Sequence, residues 1–562
     1  MSAAVGLALT PILQFFDNSG RPNVGGSILT QVGGVNFPTY QDEQGSTPLP
    51  NPIPLNSRGE ISDSSGQSRQ LFLVAGLTYV FTFYDALGNQ INQATYAVGN
   101  NLQSSVSVLQ FGADPTGVAD STAAIQAAVN AAIAAKTCLR VPEGSFLVSS
   151  LITVSSPLSI RGAGKYVTVI QTNQANASIF SFSAQFFDLA DMTLQGPSAP
   201  TSGSLITCSC SSENIRNVRL SNYYTGITGS GNVGIYEGVD LNVAATTSSV
   251  GVNLTGYAGG LVIDKMIGYV PTVTPIAGIL VVACGALQIT NSNIIKQGTN
   301  LLLIPGSGQT VASVMAVNTY FDSAQNFNVH IAPQAGGTVV RTYLTQCETS
   351  SSSGRGIAID GSAGTVDGVC IISPQANLCA SDGIYITGTN AKNIDIVGGQ
   401  CGQNGGSGIS IGASAQNVNV VGTRTGSGYG LTGNVDGIYI DSTCSGVKLT
   451  GVIAEGNSGA QIADGANSDI IGCVGATDTT YSNFGNGLVM QSGTFTSSAT
   501  AGAAVAVTFS KPFQNGVIAV LPAADSASST TAAAWFDTPT KTGFNGHCSA
   551  ATTGVSYIAI GY

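Results

Sequence analysis

The strongest constraint on this chain is a short strand-like pattern that recurs at nearly constant spacing. The segments Gly356-Ile-Ala-Ile-Asp, Gly383-Ile-Tyr-Ile-Thr, Gly408-Ile-Ser-Ile-Gly and Gly437-Ile-Tyr-Ile-Asp begin 27, 25 and 29 residues apart. A second series interleaves with the first, as in Asn393-Ile-Asp-Ile-Val. A period of roughly 20 to 50 residues is typical of folds built from stacked units, because one unit cannot bury its apolar face alone.

Each repeat holds only strands of about three to five residues and tight turns, which predicts a parallel β-helix from about Leu139 to about Gly475. Equivalent positions of successive coils would lie about 4.8 Å apart, so a charged side chain would face its own kind. The composition agrees, since 8% of the residues are charged and 72 of the 562 are glycine. We expect Asn, Ser, Thr and Gly to replace charges at the stacked positions.

Two smaller β modules flank the repeats. Residues 1–104 contain the strand-like segment Tyr79-Val-Phe-Thr-Phe-Tyr, and residues 479–562 contain Val505-Ala-Val-Thr-Phe. The predicted domains are therefore 1–104, 105–478 and 479–562, and the fold class is all-β.

One convincing helix precedes the repeats. It is predicted over about 121–135, with Asp120 or a neighbour as its N-cap. Its apolar stripe consists of Ile125, Val129 and Ile133, which are spaced four residues apart.

Charge and composition exclude several classes of ligand. The net charge is −11 and no cluster of four or more Lys and Arg occurs, so we expect no nucleic acid partner. No apolar run reaches about 20 residues, so we expect no membrane insertion. Clustered His, Cys or Asp residues that could bind a metal are missing from the sequence, and we predict no cofactor and no metal site.

Three segments resemble known families. The segment from Val108 to Ala128, Val-Leu-Gln-Phe-Gly-Ala-Asp-Pro-Thr-Gly-Val-Ala-Asp-Ser-Thr-Ala-Ala-Ile-Gln-Ala-Ala, resembles the entry motif of pectate-lyase-like β-helices, although Thr116 stands where Asp is commoner. Residues 50–60 with 79–88 resemble the N-terminal module of phage tail spikes and fibres. The end, from Asn486-Gly-Leu-Val-Met to Tyr557-Ile-Ala-Ile-Gly-Tyr, is similar to the C-terminal domain of phage tail fibres.

This resemblance implies a right-handed parallel β-helix, a C-terminal β-sandwich-like domain and a homotrimer. It implies a virion tail protein, assembled in the host cytoplasm, whose N-terminal module attaches to the tail, baseplate or an adaptor protein. Its C-terminal domain would serve trimerisation or host contact. The implied ligand is bacterial surface polysaccharide, with or without cleavage. The alternatives are a non-enzymatic receptor-binding fibre and a bacterial surface adhesin.

The candidates for catalysis are carboxylates at matching positions of adjacent repeats. Asp322 and Glu348 are 26 residues apart, close to one coil, and each follows a strand-like stretch. Glycoside hydrolysis uses two carboxylates, one of which has a raised pKa and acts as the acid. Glu455 and Asp436 are weaker single candidates. The pattern leaves open whether the enzyme would be a hydrolase or a lyase.

Aromatic side chains on an outer groove would bind a glycan without cutting it. The candidates are Tyr320, Phe321, Tyr385 and Tyr439. Each is also compatible with an ordinary half-buried strand position.

Overall fold

The fold is described from a computed structural model. It describes residues 5–7, 13–42, 45–74, 77–97, 105–269, 275–466, 468–475, 481–483, 489–509, 512–513, 515–524, 532–551 and 554–562. The chain divides into two compact units, residues 1–106 with 134–139 and residues 107–133 with 140–562. The domain boundaries predicted at 104 and 478 fall on segments outside the described residues.

The N-terminal module is antiparallel. Its strands are β1 (Val5–Leu7), β2 (Ser27–Val32), β3 (Val35–Asn36), β4 (Ile53–Pro54), β5 (Phe72–Val74), β6 (Thr78–Tyr84) and β7 (Gln90–Ala97). Its main sheet has the order β3-β2-β6-β7, with β4 also paired to β2. Tyr79 lies at the centre of the apolar core, and its hydroxyl donates to the Pro38 carbonyl at 3.1 Å. That bond satisfies the polar end of a fully buried side chain.

The predicted helix is confirmed. Helix α1 spans Thr122–Ala135 and follows a 3₁₀ turn over Val108–Phe111. The Ser121 carbonyl accepts the first helical hydrogen bond, from Ile125 at 2.9 Å, so Ser121, the neighbour of Asp120, occupies the N-cap position. An Asp120 oxygen accepts from the backbone of Thr122 at 3.0 Å. The face that α1 buries differs slightly from the predicted stripe, because Ala132 is buried and Ile133 only half-buried. A helix with 3.6 residues per turn drifts away from a strict four-residue spacing.

The solenoid that follows consists of short strands. They are β8 (Ser105–Ser107), β9 (Thr116–Asp120), β10 (Cys138–Val141), β11 (Gly144–Val148), β12 (Ile152–Val154), β13 (Leu158–Gly162), β14 (Thr168–Thr172), β15 (Phe180–Phe182), β16 (Phe186–Gln195), β17 (Ser204–Cys208), β18 (Ser212–Tyr223), β19 (Thr225–Gly229), β20 (Val233–Glu237), β21 (Asp240–Ala244), β22 (Val250–Leu254), β23 (Tyr257–Asp264), β24 (Ile267–Tyr269), β25 (Ala277–Val281), β26 (Cys284–Thr290), β27 (Asn293–Ile295), β28 (Thr299–Leu303), β29 (Thr310–Val317), β30 (Tyr320–Asp322), β31 (Phe327–Ile331), β32 (Thr338–Thr345), β33 (Arg355–Asp360), β34 (Thr365–Ile372), β35 (Ile384–Thr387), β36 (Ala391–Val397), β37 (Gln400–Cys401), β38 (Ile409–Ile411), β39 (Gln416–Val421), β40 (Arg424–Gly426), β41 (Ile438–Ile440), β42 (Lys448–Thr450), β43 (Ile453–Glu455), β44 (Ile462–Asp464) and β45 (Asp469–Ile471).

These strands stack in register into long parallel sheets, which confirms the predicted parallel β-helix. One sheet has 13 strands in the order β12-β15-β17-β19-β22-β25-β28-β31-β33-β35-β38-β41-β44. The other solenoid strands form a sheet of 22 strands and the short sheet β37-β40-β43. Within the 13-stranded sheet, Leu301, Val329, Ile357, Ile384 and Ile409 are paired in turn, and all are fully buried. The core is thus a set of apolar rows that run along the stack.

Buried amides also stack from coil to coil. The Asn404 amide donates to Asn434 at 2.9 Å, and Asn434 donates to Asn457 at 3.0 Å. The row ends where Asn457 donates at 2.8 Å to Gln461, a half-buried residue four positions further along the chain. An amide carries both donors and an acceptor, so identical neighbours can satisfy one another where carboxylates would repel. The expectation that Asn replaces charge at stacked positions is confirmed for this row.

The C-terminal module is again antiparallel. Its strands are β46 (Tyr481–Asn483), β47 (Val489–Thr496), β48 (Val505–Thr508), β49 (Val517–Ala524), β50 (Ala534–Thr540), β51 (Gly543–Cys548) and β52 (Gly554–Gly561). They form the sheets β46-β47-β52-β49 and β48-β51-β50. Both sheets contribute to one apolar cluster, which includes Val507, Phe544 and Tyr557.

One carboxyl group lies inside the solenoid. Glu213 is fully buried, and the Tyr236 hydroxyl donates to its Oε1 at 2.6 Å, while Oε2 has no hydrogen-bond partner. Burial raises the pKa of Glu213 from 4.5 to about 7. The folded chain therefore holds a proton on Glu213 at a pH where the unfolded chain has released it, and stability falls as pH rises between these two values.

We expect Glu213→Gln to remove this loss of stability. The pKa shift corresponds to about 3 kcal/mol, which is present at acidic pH and lost as pH rises through about 7. Thermal unfolding at about pH 5 and about pH 8, followed by circular dichroism, should show a smaller pH effect in the variant than in the wild type. The exposed Glu143, changed to Gln, is the matched control and should keep the wild-type pH effect. An equal pH effect in Glu213→Gln would contradict the assignment.

Candidate functional site

A row of polar and aromatic side chains runs along the middle of the solenoid. Tyr320 of β30 pairs with Glu348 in the next coil, Glu348 with Gln375, and Gln375 with Gln400. These residues therefore lie on successive coils, about 4.8 Å apart. The row continues through Arg424 of β40, which pairs with Gln400.

The left-handed corner that precedes each of these residues shapes a cavity beside the row. Asn318, Gln346 and Ser373 have φ angles of 49°, 51° and 51°, in the left-handed region that non-glycine residues seldom adopt. Two residues later in each coil come Tyr320, Glu348 and Gln375. The cavity has a volume of about 330 Å³. It is lined by Asn318, Tyr320, Gln346, Glu348, Ser373 and Gln375.

The structure brings the two predicted carboxylates Asp322 and Glu348 close together. Asp322 lies two residues after Tyr320, the register partner of Glu348, so the two carboxylates are diagonal neighbours with Cα atoms about 8 Å apart. Burial and the negative charge of Asp322 both raise the pKa of Glu348, and a hydrogen bond from Ser350 partly offsets them. Asp322 Oδ2 accepts from the Ser323 hydroxyl at 3.1 Å, whereas its Oδ1 is buried without a hydrogen-bond partner.

The weaker carboxylate candidates have structural partners. Glu455 Oε2 lies 3.5 Å from the Arg424 guanidinium, and the Glu455 side chain is half exposed. Asp436 Oδ1 accepts from the backbone of Ala460, 24 residues further along the chain, at 2.8 Å, so it links neighbouring coils.

The four aromatic residues predicted to contact a glycan lie in three different places: at the cavity, in the core and on the 13-stranded sheet. Tyr320 is 50% exposed at the cavity, whereas its neighbour Phe321 is fully buried. Successive side chains of a strand point to opposite faces, so Tyr320 and Phe321 cannot both face solvent. The expectation that Phe321 contacts a glycan is therefore wrong, and Phe321 is a core residue. Tyr385 and Tyr439 belong to the 13-stranded sheet, away from the Tyr320 row.

Tyr385 and Tyr439 form part of an outward stripe. Both pair with Ser410 in the coil between them, so the two rings lie about 10 Å apart along the solenoid. The Arg355 guanidinium stacks on the Tyr385 ring at 3.9 Å and is held by Asp382 at 2.9 Å. The stripe thus presents aromatic rings next to an oriented cation.

Four cavity residues, Asn318, Gln346, Ser373 and Gln375, were not predicted from the sequence. The coil spacing could have indicated Gln375, because it follows Glu348 by 27 residues, close to the repeat. The corner residues Asn318, Gln346 and Ser373 each precede a member of the row by two positions, so the same repeat could have indicated them. Sequence patterns do not show which stacked polar residues surround an open cavity.

The described part of the chain contains no group of three or more His, Cys, Asp and Glu residues that could hold a metal ion. Within the same residues, no helix is both long and apolar enough to cross a membrane.

Two family models match segments of the chain. Residues 105–256 match the family "Rhamnogalacturonase A/epimerase, pectate lyase-like". Residues 483–562 match the C-terminal segment of gp53-like tail fiber proteins. These matches confirm the predicted resemblance for residues 105–256, which are similar to pectate-lyase-like proteins, and for residues 483–562, which are similar to the C-terminal segment of tail fibre proteins. The resemblance of the N-terminal module stays a prediction.

Solved structures that align with the chain include two tailspike proteins. The Dettilon tailspike protein has 13% identity and a TM-score of 0.49, with 83% of this chain and 95% of that chain covered. A double mutant of the tailspike protein of E. coli bacteriophage HK620 has 11% identity and a TM-score of 0.46, with 84% and 95% covered. The GH87 α-1,3-glucanase of Streptomyces thermodiastaticus has 15% identity and a TM-score of 0.45, with 84% and 87% covered. No curated protein matches the chain.

We expect Asp322→Asn to lower the pKa of Glu348, because the substitution removes a like charge that favours the protonated acid. The measurement is carboxyl NMR on protein labelled at glutamate, with the Glu348→Gln spectrum identifying the resonance. Asp360→Asn, which removes a carboxylate from the 13-stranded sheet, should leave the pKa of Glu348 unchanged. A Glu348 titration that is the same with and without the Asp322 charge would show that the two carboxylates do not interact.

Proposed function

We propose that this chain is a phage tail spike or fibre that binds bacterial surface polysaccharide along its β-helix and cleaves it at Asp322 and Glu348. The observation that carries the proposal is the cavity, where a half-exposed tyrosine and several amides surround a carboxylate with a raised pKa. The tail-fibre match of the C-terminal module supports the virion context. The pectate-lyase-like match supports a carbohydrate ligand.

The lining suits a sugar more than an ion or an apolar ligand. The Tyr320 ring offers a flat apolar surface for the C–H face of a pyranose. The Asn318, Gln346 and Gln375 amides offer both donors and acceptors for hydroxyl groups. Because the row extends from Tyr320 to Arg424 parallel to the solenoid, a polymer would lie along the stack and contact several coils.

The two carboxylates suit opposite roles in glycoside hydrolysis. Burial and the Asp322 charge favour the protonated form of Glu348, which makes it the general acid that protonates the leaving oxygen. Asp322 is then the base that activates water, or the nucleophile.

Tyr385 and Tyr439 provide a second contact for the same polymer. Their rings and the Arg355 cation lie on the outer face of the 13-stranded sheet. A stacked guanidinium held by Asp382 is pre-oriented and could bind an acidic sugar or a phosphate substituent.

The proposed roles of the N-terminal and C-terminal modules rest on the proposal that the chain is a phage tail protein. Residues 1–104 would attach a homotrimer to the tail, baseplate or an adaptor protein. Residues 479–562 would support trimerisation or host contact. The protein would be assembled in the host cytoplasm and would function as part of the virion.

The first test is cleavage of host capsule or lipopolysaccharide, followed by the size of the products. We expect Glu348→Gln and Asp322→Asn each to lower the rate by about 10²- to 10⁴-fold, because each removes a proton-transfer group. Glu455→Gln and Asp436→Asn are carboxylate controls and should retain wild-type rates. If the wild-type protein binds the polymer but does not cleave it, the result supports the alternative, a non-enzymatic receptor-binding fibre. Full cleavage by both variants would refute the assignment of Asp322 and Glu348 as the catalytic residues.

The second test is binding to the same polysaccharide. Tyr320→Ala should weaken binding by about tenfold, or about 1.4 kcal/mol, because the ring is the apolar surface of the cavity. Surface plasmon resonance on the inactive Glu348→Gln background measures the affinity without cleavage. Tyr166→Ala removes an exposed tyrosine near the start of the solenoid and should have no effect. An equal loss in both variants would argue against a specific role for Tyr320.

A further inference from the structure

The C-terminal module carries an aromatic site separate from the β-helix cavity. Trp535 of β50 pairs directly with His547 of β51. Their rings are parallel within 3°, with centroids 5.3 Å apart. Trp535 is 42% exposed, which is unusual for a side chain with so large an apolar area. His547, in contrast, is only 8% exposed. The histidine therefore supports the indole, and the remaining indole surface faces solvent.

Hydrogen-bond acceptors flank both nitrogens of the supporting ring. His547 Nδ1 lies 3.0 Å from the Gly502 carbonyl, and Nε2 lies 3.0 Å from Asp537 Oδ2. Both partners are acceptors, and a neutral ring donates one of these bonds, from the nitrogen that carries its proton. Either bond opposes rotation of the ring and so helps to fix the orientation of the indole stacked on it.

The surface around Trp535 is open and polar. Alternation along the strands places Trp535, Asp537, Asn545 and His547 on one face, opposite the core residue Phe544. On the third strand of this sheet, the exposed Ala506 pairs with Asn545 and leaves room above the sheet. More than half of the Asp537 side chain is exposed.

We propose that Trp535, Asp537 and Asn545 form a second carbohydrate site, which binds a neutral pyranose. The indole face receives the C–H face of the sugar, and the Asp537 carboxylate accepts from a hydroxyl group. The Asn545 amide donates one N–H to Thr538 at 2.9 Å and offers its second N–H and its oxygen to the sugar. The Asp537 charge, next to His547, disfavours an acidic sugar. The site extends glycan recognition to the C-terminal module and does not depend on the β-helix cavity.

The sequence provides a direct reporter, because Trp535 is the only tryptophan of the chain. Full-length protein is titrated with glucose, galactose, mannose, rhamnose and N-acetylglucosamine while tryptophan emission is recorded. We expect a saturable change with at least one of these sugars, at millimolar concentrations. The absence of a saturable change with every sugar overturns the proposal.

Variants separate this site from the proposed function. Tyr320→Ala and Glu348→Gln should leave the emission titration unchanged, even if the β-helix proposal fails. Asp537→Asn keeps the size of the side chain and should weaken sugar binding at least fivefold. Thr508→Ala, at an exposed position of β48, is the control and should bind as the wild type does. Unchanged binding in Asp537→Asn, or a response that disappears in Tyr320→Ala, contradicts a site at Trp535.

Discussion

The parallel, in-register stacking of coils is the constraint on which the rest of the solenoid depends. Every side chain meets its equivalents about 4.8 Å above and below. Two like charges at that distance repel by about 1 kcal/mol in water and by about 3 kcal/mol at an effective dielectric constant of 20. Apolar rows such as Leu301-Val329-Ile357 and amide rows such as Asn404-Asn434-Asn457 satisfy the constraint. The low content of charged residues is a consequence of the architecture.

Several carboxylates of the solenoid have cationic partners. Asp188 is bound by Arg216 at 2.8 Å and also by Arg161, and Asp382 is bound by Arg355. In contrast, no Lys or Arg of the described residues forms an ion pair with Asp322 or Glu348. Burial and, secondly, the like charge of Asp322 on the adjacent coil both disfavour the ionised form of Glu348, and together they raise its pKa. A pair that stability disfavours is more readily explained by function.

The sequence was sufficient for the elements that repeat and for those with local signals. The coil spacing predicted the parallel β-helix, and Asp120 with its alanine-rich run predicted α1. The same spacing brought Asp322 and Glu348 to adjacent coils. It could not predict the cavity, because the corner at Gln346 depends on a backbone angle that no residue type there demands. The prediction that Phe321 is exposed was wrong, because the residue types alone do not show which face of the strand points to solvent. Without that orientation, the sequence cannot decide which of the adjacent residues Tyr320 and Phe321 is exposed.

Stacking also allows the loops of the solenoid to vary in length while the register of the stacked strands stays constant. The Tyr320, Glu348, Gln375 and Gln400 row keeps its register although the intervals along the chain are 28, 27 and 25 residues. The differences in length are absorbed between the paired positions, where loops tolerate insertions. The distance between Asp322 and Glu348 is therefore set by the hydrogen bonds between coils, while the loops that border the row can change. A scaffold of this kind can alter which polymer it binds without altering the geometry of its carboxylates.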